Sequence, residues 1–498
     1  MVSLIGGDIS RICEAALSAA AAPLNEMDGL VRSFLLQAVT PERVLDFENA
    51  VAEYLREAGR RVLETVYNQI EPAAAEMPKR LEQDSYEFSR KKEKTNCRDG
   101  VATVFGKIEL ARCSYEPLQE GRDDGQKSCS PLELCLGIVA GNATPALAER
   151  VGRTASGHTQ QELLELLERD HGVRWSSTVL RQVMSSVSEG IADHLHQTQN
   201  RKLLDLLGTA DASKGRHKIT LSVGRDGIML PMRGEKTYKE AAVGTVTVYD
   251  RRGHRLGTVY LGQMPQAHQT ALSDQLTRLL TELLQEWKGA WPRLVYVTDA
   301  GHHPTEYFDT VLTHMEHPRQ PGHLMEWIRV VDFFHASEYV AKLARALFDD
   351  DNCAAHGWQH RMRHMLKHEP NAVFRVLHSA AKHHSERLLS AAQEKAYQKA
   401  YQYLNNHQAY MNYREYRRLG LPIGSGVTEA ACKTVFTQRF KQSGMTWGLK
   451  GGGVILALRL ADLSRVWEAV YRQFLLNRPL PRLATKPLLH SISHKIPA

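Results

Sequence analysis

A chain of 498 residues, 43% of them hydrophobic, can bury more than one core, so about three domains are expected. No apolar run approaches the roughly 18 residues needed to cross a bilayer, and the Ala-rich start EAALSAAAAPL carries Glu14 where a signal peptide needs an apolar run. This excludes a membrane partner and predicts a cytoplasmic protein. The net charge of +7 is unevenly spread: residues 401–498 hold fourteen Lys/Arg against four Asp/Glu. Such a basic C-terminal fifth suits a polyanion, although a solvated basic surface has the same composition. The seven cysteines are scattered, odd in number and never spaced as CxxC, which predicts reduced thiols rather than a disulfide framework.

Residues 1–95 read as a helical module for oligomerisation or DNA contact, with Val44, Leu45, Phe47, Val51, Leu55, Val62, Leu63 and Val66 near helical spacing. Residues 96–130 follow, where DGVATVFGKIELARCSYEPL alternates around Gly106 as a two-stranded hairpin does, before the polar loop EGRDDGQKS. Residues 131–210 contain three helix starts. Thr144-Pro145 is a cap with proline at the first helical position, Thr159 and Glu162 form a capping box, and GVRWSS turns into a helix near Ser177. Two short helices across a Gly-containing turn fit a helix-turn-helix whose second helix offers Ser177, Thr178, Arg181 and Gln182 to a major groove; a small helical bundle has the same pattern.

From about residue 217 the period becomes strand-like. HKITLSVGRDGIMLPMR, AAVGTVTVYD and HRLGTVYLGQM read as consecutive strands, TALSDQLTRLLTELLQEW as an amphipathic helix, PRLVYVTDAG as a strand, PTEYFDTVL as a short helix and WIRVVDFFHASEY as a further strand. This order predicts an α/β core of RNase H-like type in two parts, 211–340 and 421–475, interrupted by an all-helical insertion at 341–420 and followed by a basic tail at 476–498. The fold class is therefore an RNase H-like α/β core with a helical insertion, preceded by mainly α-helical N-terminal modules.

In this arrangement Asp226 ends the first strand, Asp299 ends the fourth, and Glu429 lies on the helix after the insertion, so three carboxylates distant in sequence converge at one sheet edge. Oxygen ligands of this kind hold Mg²⁺, with Mn²⁺ as substitute, and two such ions can promote in-line displacement at a phosphodiester. Asp211 in GTADASK is a rival first ligand, although it precedes the strand, and Asp-Gly in GRDGIM is also a common turn pair. Glu429 and Lys433 are one helical turn apart, and Arg439 and Lys441 extend a cationic track suited to DNA phosphates. Trp447 fits either stacking on an unpaired base or a buried aromatic anchor. His356, His360, His364 and His368 recur every four residues, and the interleaved Arg361, Arg363 and Lys367 favour a DNA-facing or solvated stripe over a metal site.

Together DGIMLPM, VYVTDAG, VVDFFHASEY and above all GLPIGSGVTEAACKTVFTQRFKQSGMTWG resemble bacterial insertion-sequence transposases of the ISKra type, in the Mutator-like branch of DDE transposases. The resemblance runs from about 130 to 470. It implies that Asp226, Asp299 and Glu429 are the catalytic, metal-holding triad, with two ions per site, and that Asp332 and His335 match an element after the fifth strand that supports it. A hydrogen-bonded structural role for His335 is the alternative. The implied activity is DNA strand cleavage and strand transfer at the element's terminal repeats, in a homo-oligomer that pairs two ends and, when DNA-bound, associates with the nucleoid. Relatives carry cysteine pairs near 97–135 that suggest a zinc ribbon, whereas Cys97, Cys113, Cys129 and Cys135 lack that spacing. A transposase-derived protein that binds DNA without cutting it, or a stand-alone RNase H-like nuclease, are the competing readings.

Overall fold

The computed structural model describes residues 8–83, 86–118, 128–348 and 352–478. Most of the loop EGRDDGQKS, and the expected basic tail from residue 479 onward, lie outside the described residues. The chain divides into two compact units, residues 1–191 with 471–498, and residues 192–470. Among the described residues no helix is long and apolar enough to cross a membrane.

The first unit begins with helices α1 (Ile9–Leu35) and α2 (Pro41–Ile70). Asp8 and Thr40 cap them by accepting from the amides of Ser10 and Arg43, and Pro41 occupies the first helical position of α2. Phe34 stacks on Phe47 at 4.3 Å, and the Arg43 guanidinium donates to the carbonyls of Ser33, Phe34 and Ala38, so the turn is pinned from both sides. Seven short strands follow: β1 (Arg80–Gln83), β2 (Tyr86–Arg90), β3 (Thr95–Asn96), β4 (Val101–Thr103), β5 (Gly106–Ile108), β6 (Ala111–Arg112) and β7 (Tyr115–Pro117). The hairpin expected around Gly106 forms as β4–β5, with Gly106 at a φ of 115° that side-chain-bearing residues avoid. Strand structure starts earlier than expected, however, at Arg80 inside the stretch read as helical. Pro72 and Pro78 cannot continue a helix, and Leu81, Phe88 and Tyr115 meet Met77 and Cys113 in a separate small core.

Helices α3 (Pro131–Cys135), α4 (Pro145–Ala155), α5 (Gln160–His171) and α6 (Ser177–Ala212) complete this part. The three helix starts fall where the caps placed them. Thr144 precedes α4, Thr159 and Glu162 exchange bonds of 3.2 and 2.7 Å, and Gly172 ends α5 at a φ of 63°. The second helix of the turn is 36 residues long rather than short, and it runs from the first unit into the second. Gly190 is tolerated within it because a Cβ there would overlap the Phe474 ring.

The second unit is built on a five-stranded mixed sheet of β8 (Thr220–Leu230), β9 (Lys239–Tyr249), β10 (Arg255–Gln263), β11 (Arg293–Thr298) and β12 (Trp327–Val331), in the order β10-β9-β8-β11-β12. The first three strands pair antiparallel, and β11 lies parallel to both β8 and β12. Between β10 and β12 lie α7 (Thr270–Glu286) and α8 (His302–Thr310). Alternation on β11 separates the two faces: Leu294 and Tyr296 pack with Leu221, Val223 and the leucines of α7, whereas Val295 and Val297 pack with α9 (Phe333–Phe348) and the insertion. The segment read as one strand through WIRVVDFFHASEY instead switches from β12 to α9 at Asp332, whose carboxylate caps the helix.

The described residues from 352 to 418 form helices and no strand, in line with the helical pattern of that stretch: α10 (Asn352–His368), α11 (Ala372–Ser385), α12 (Ala391–His407) and α13 (Tyr413–Arg418). The chain then returns through α14 (Gly426–Ala431), a π-helical stretch at Cys432–Thr437, α15 (Gln438–Phe440), α16 (Leu449–Leu463) and α17 (Trp467–Leu476).

Candidate active site

Strand register brings the acids together. β8 pairs with β11 up to Gly224↔Val297, and β11 pairs with β12 up to Thr298↔Val331. Continued by one or two residues, this register sets Asp226, Asp299 and Asp332 side by side across the carboxyl ends of three parallel strands. The Asp332 amide donates to the Thr298 carbonyl at 2.8 Å, which extends the ladder to that point. Neighbouring strands lie about 4.8 Å apart, and the carboxyl edge of such a sheet is where ligands bind in α/β proteins. Asp226 does not end its strand as expected. It sits within β8, because β8 continues its antiparallel pairing with β9 to Leu230 after the parallel pairing with β11 has stopped.

Side-chain alternation decides what Asp226 meets. Arg225 points to the α7 face, where its guanidinium lies over the Tyr307 ring at 4.7 Å and donates to Ser273 and Gln269. Gly224 and Asp226 point to the other face, toward α14. A Cβ on Gly224 would overlap Thr428 Oγ1, which bonds Thr245 Oγ1 at 2.8 Å, so the glycine is what allows α14 to close on the strand. Asp226 Oδ1 accepts from the Gly227 amide at 2.7 Å, and Oδ2 accepts from the Cys432 thiol at 3.3 Å. Glu429, one turn before Cys432, is exposed and accepts from the Ser425 hydroxyl at 2.6 Å.

Electrostatics tie the three acids into one site. Burial, joined by the Asp299 and Glu429 carboxylates, pushes the Asp226 carboxyl up to about 6 against the opposing bonds from Cys432 and Gly227. Burial and the same three acids push the Cys432 thiol far above its usual range, so it stays a proton donor to Asp226. Among the described residues, none of the basic side chains forms an ion pair with Asp226, Asp299, Asp332 or Glu429. A cluster of hard oxygen donors without a protein counter-charge fits Mg²⁺ or Mn²⁺. The oxygens of the triad do not gather within reach of a single ion: among the described residues the one tight group of potential ligands is His302, His303 and Glu306. Two ions about 3.5–4 Å apart require a wider set than one.

Asp332 and His335 do different work. Asp332 is fully buried; one oxygen accepts from the amides of Phe334 and His335 at 2.5 and 2.8 Å, and the other accepts from the Ser425 amide. It thereby joins the start of α9 to the start of α14, the helix that carries Glu429. The His335 ring packs edge-on against Tyr339 and Tyr403 and lies 3.6 Å from Glu338. Tyr403, from the insertion, donates its hydroxyl to the Asp299 carbonyl at 2.8 Å.

Asp211, the rival ligand, is at the other edge of the sheet on α6, ion-paired to Arg251 at 2.7 Å and accepting from the Ala290 amide. No protein-family model and no curated protein matches this chain.

The cationic track is only partly as expected. Lys433 and Lys441 are exposed, but Arg439 is 2% exposed, with its guanidinium 5.1 Å from the Trp447 ring centroid. A π-helical turn at Cys432–Thr437 precedes it, which a pattern of 3.6 residues per turn does not anticipate and which shifts the phase of the short α15 that follows. Arg459 donates to the carbonyls of Thr434 and Val435 within that turn, at 2.7 and 2.9 Å. Trp447 is half-buried: its indole donates to the Phe440 carbonyl at 2.9 Å, and its backbone pairs with Pro231 and Arg233. Ser177, Thr178, Arg181 and Gln182 are all exposed at the start of α6, and His356, His360, His364 and His368 line the exposed side of α10. Sequence reasoning missed Cys432, Ser425, Tyr403 and Gly224. Cys432 and Gly224 had a usable signal, since each lies at the period that puts it on the same face as a triad residue.

Proposed function

We propose that the chain is a DDE transposase whose second unit is an RNase H-like catalytic core that cuts and joins DNA at the ends of an insertion sequence. The register that sets Asp226, Asp299 and Asp332 side by side on adjacent strands, with Glu429 delivered to the same edge and no ion pair to a basic side chain among the described residues, carries this reading. Asp226, Asp299 and Glu429 would hold two Mg²⁺ ions, which supply charge neutralisation on the attacking and leaving oxygens of an in-line phosphoryl displacement. Cys432 and the Gly227 amide orient the Asp226 carboxylate. Ser425 orients Glu429, and Asp332 holds Ser425. Lys433 and Lys441 meet the DNA backbone, and the exposed start of α6 enters a groove of the terminal repeat.

The test is incubation of the purified protein with end-containing DNA in Mg²⁺ or Mn²⁺. Cleavage followed by joining of the freed 3′-hydroxyl to target DNA is expected. A protein that shifts such DNA without ever cutting it is an end-binding derivative, and one that cuts without joining or end preference is a nuclease; either result overturns the proposal. Lys433→Ala and Lys441→Ala are each expected to weaken binding uniformly across sequences and to lower the salt dependence of log K by about one. Arg439→Ala, by contrast, is expected to cost about 1–3 kcal/mol of stability and to leave the salt slope unchanged. Affinity measured at several salt concentrations separates the two behaviours.

Two-ended chemistry needs a multimer, and the first unit offers a face for one. Leu17, Leu24 and Val31 repeat every seven residues along α1 and are exposed, at the spacing of a helix-helix seam. A second copy of the chain is the proposed occupant. Leu17→Glu combined with Leu24→Glu is expected to reduce the solution mass measured by light scattering to that of the monomer without lowering the unfolding temperature. An unchanged mass removes this face from the assembly.

A further inference from the structure

We propose that His302, His303 and Glu306 form a binding site for a borderline transition-metal ion of the Zn²⁺ or Co²⁺ class, separate from the acid triad. All three lie on α8, at i, i+1 and i+4, so Glu306 is one turn from both histidines. Glu306 Oε2 is 3.9 Å from His302 Nδ1 and 3.7 Å from His303 Nδ1, and one potential ligand atom from each residue falls within 4.8 Å of the others. Two ligands about 2.1 Å from a shared tetrahedral ion lie about 3.4 Å apart, so small side-chain rotations close the site.

The environment of His303 is the independent observation. Its Nδ1 is buried and has no hydrogen-bond partner, since 3.7 Å to Glu306 is too long for one. A buried imidazole nitrogen facing a carboxylate without bonding to it is accounted for by an ion between them. The opposite nitrogen, Nε2, faces Glu240 Oε2 at 4.0 Å. That separation is too long for a hydrogen bond, but it puts a carboxylate on the side from which the tautomer and ring angle of a ligating histidine are held once the side chains close on an ion. Water completes the coordination, because His302 is largely exposed.

The site differs from the triad in chemistry and position. Two imidazoles and one carboxylate select borderline ions, whereas the all-oxygen triad selects Mg²⁺ or Mn²⁺. Glu240 pairs across the ladder with Met229, an odd-numbered position like Arg225, so it points to the face of the sheet opposite Asp226. The two sites nevertheless share one loop: the Gly301 amide at the start of α8 donates to Asp299 Oδ1 at 2.9 Å. An ion clamping the first turn of α8 therefore also steadies the turn that presents Asp299.

The test is titration of the full-length, chelator-treated protein with Co²⁺ in the presence of millimolar Mg²⁺, read from the visible d–d absorption, followed by displacement with Zn²⁺. The wild-type protein and Asp226→Asn are both expected to give a saturable Co²⁺ signal that one equivalent of Zn²⁺ removes. His303→Ala, and separately the exposed isosteric change Glu306→Gln, are expected to weaken Co²⁺ binding about 100-fold or more. Unchanged Co²⁺ affinity in both variants overturns the site, and so does a signal lost in Asp226→Asn but retained in Glu306→Gln. Because the readout is binding, a protein inactive on DNA leaves this test intact.

Discussion

Asp226→Asn is expected to abolish metal-dependent strand cleavage, a loss of about 10³-fold or more, and at the same time to stabilise the metal-free protein. The two effects share one cause. Burial and two neighbouring carboxylates raise the Asp226 carboxyl to about 6, from an ordinary value of 3.8. A raised acid contributes stability that is fully present below its unfolded value and is lost as pH rises through the folded one. The metal-free wild type should therefore lose up to about 2–3 kcal/mol between pH 4 and pH 7, beyond any change the variant shows. Asn keeps an acceptor for the Gly227 amide and carries no charge to desolvate. Urea unfolding in a chelator, compared between the two proteins at pH 4 and pH 7.5, isolates this contribution. Identical pH dependence would mean that Asp226 is neither buried nor crowded by the other acids. Saturating Mg²⁺ should reverse the order of stability, since only the wild type gains binding free energy on folding.

Asp332→Ala is expected to cost about 3 kcal/mol or more of stability and to reduce cleavage even at temperatures where the protein is fully folded. The side chain is completely buried, and its removal leaves the amides of Phe334, His335 and Ser425 without their acceptor. The loss at α9 is a capping loss and appears in the unfolding temperature. The loss at Ser425 loosens the loop whose hydroxyl holds Glu429, and it appears in the rate. Asp332→Asn should recover part of the first and little of the second, because an amide has one acceptor oxygen and would turn an N–H toward a partner that is itself a donor. Equal recovery of stability and rate in the Asn variant would disconnect Asp332 from Glu429.

Much of the architecture was written in local signals. The three antiparallel strands, α7, β11 and the strand-free insertion followed from the change of hydrophobic period, and α4 and α5 begin at the caps that Thr144 and Thr159 announce. Those features depend on residues within one or two turns of each other, so no partner from elsewhere is needed to read them. Asp299 was legible for a related reason, since a carboxylate at the end of an apolar strand stands out, whereas Asp226 lies inside β8 and not at the strand end expected for it.

What the tertiary structure decided depends on contacts between segments far apart in the chain. β8 runs past Asp226 because β9 continues to pair with it, and β12 gives way to a helix at Asp332 because the side chain finds three amides, one of them from residue 425. Arg439 turns inward because a π-helical turn, with Arg459 bound to two of its carbonyls, shifts the phase of the residues after it. The candidate metal ligands on α8 are local to one helix, but the carboxylate 4.0 Å behind His303 comes from far away, as Glu240 of β9. By itself the sequence determined most of the helices and strands and placed Asp299 just past the end of one strand, because periodicity and capping are local. The hydrogen bond that Asp226 accepts from Cys432 and the anchoring of Ser425 by Asp332 were decided by contacts between residues about 90 to 200 positions apart, and the direction of Arg439 by the π-helical turn that Arg459 binds, where no local pattern reaches.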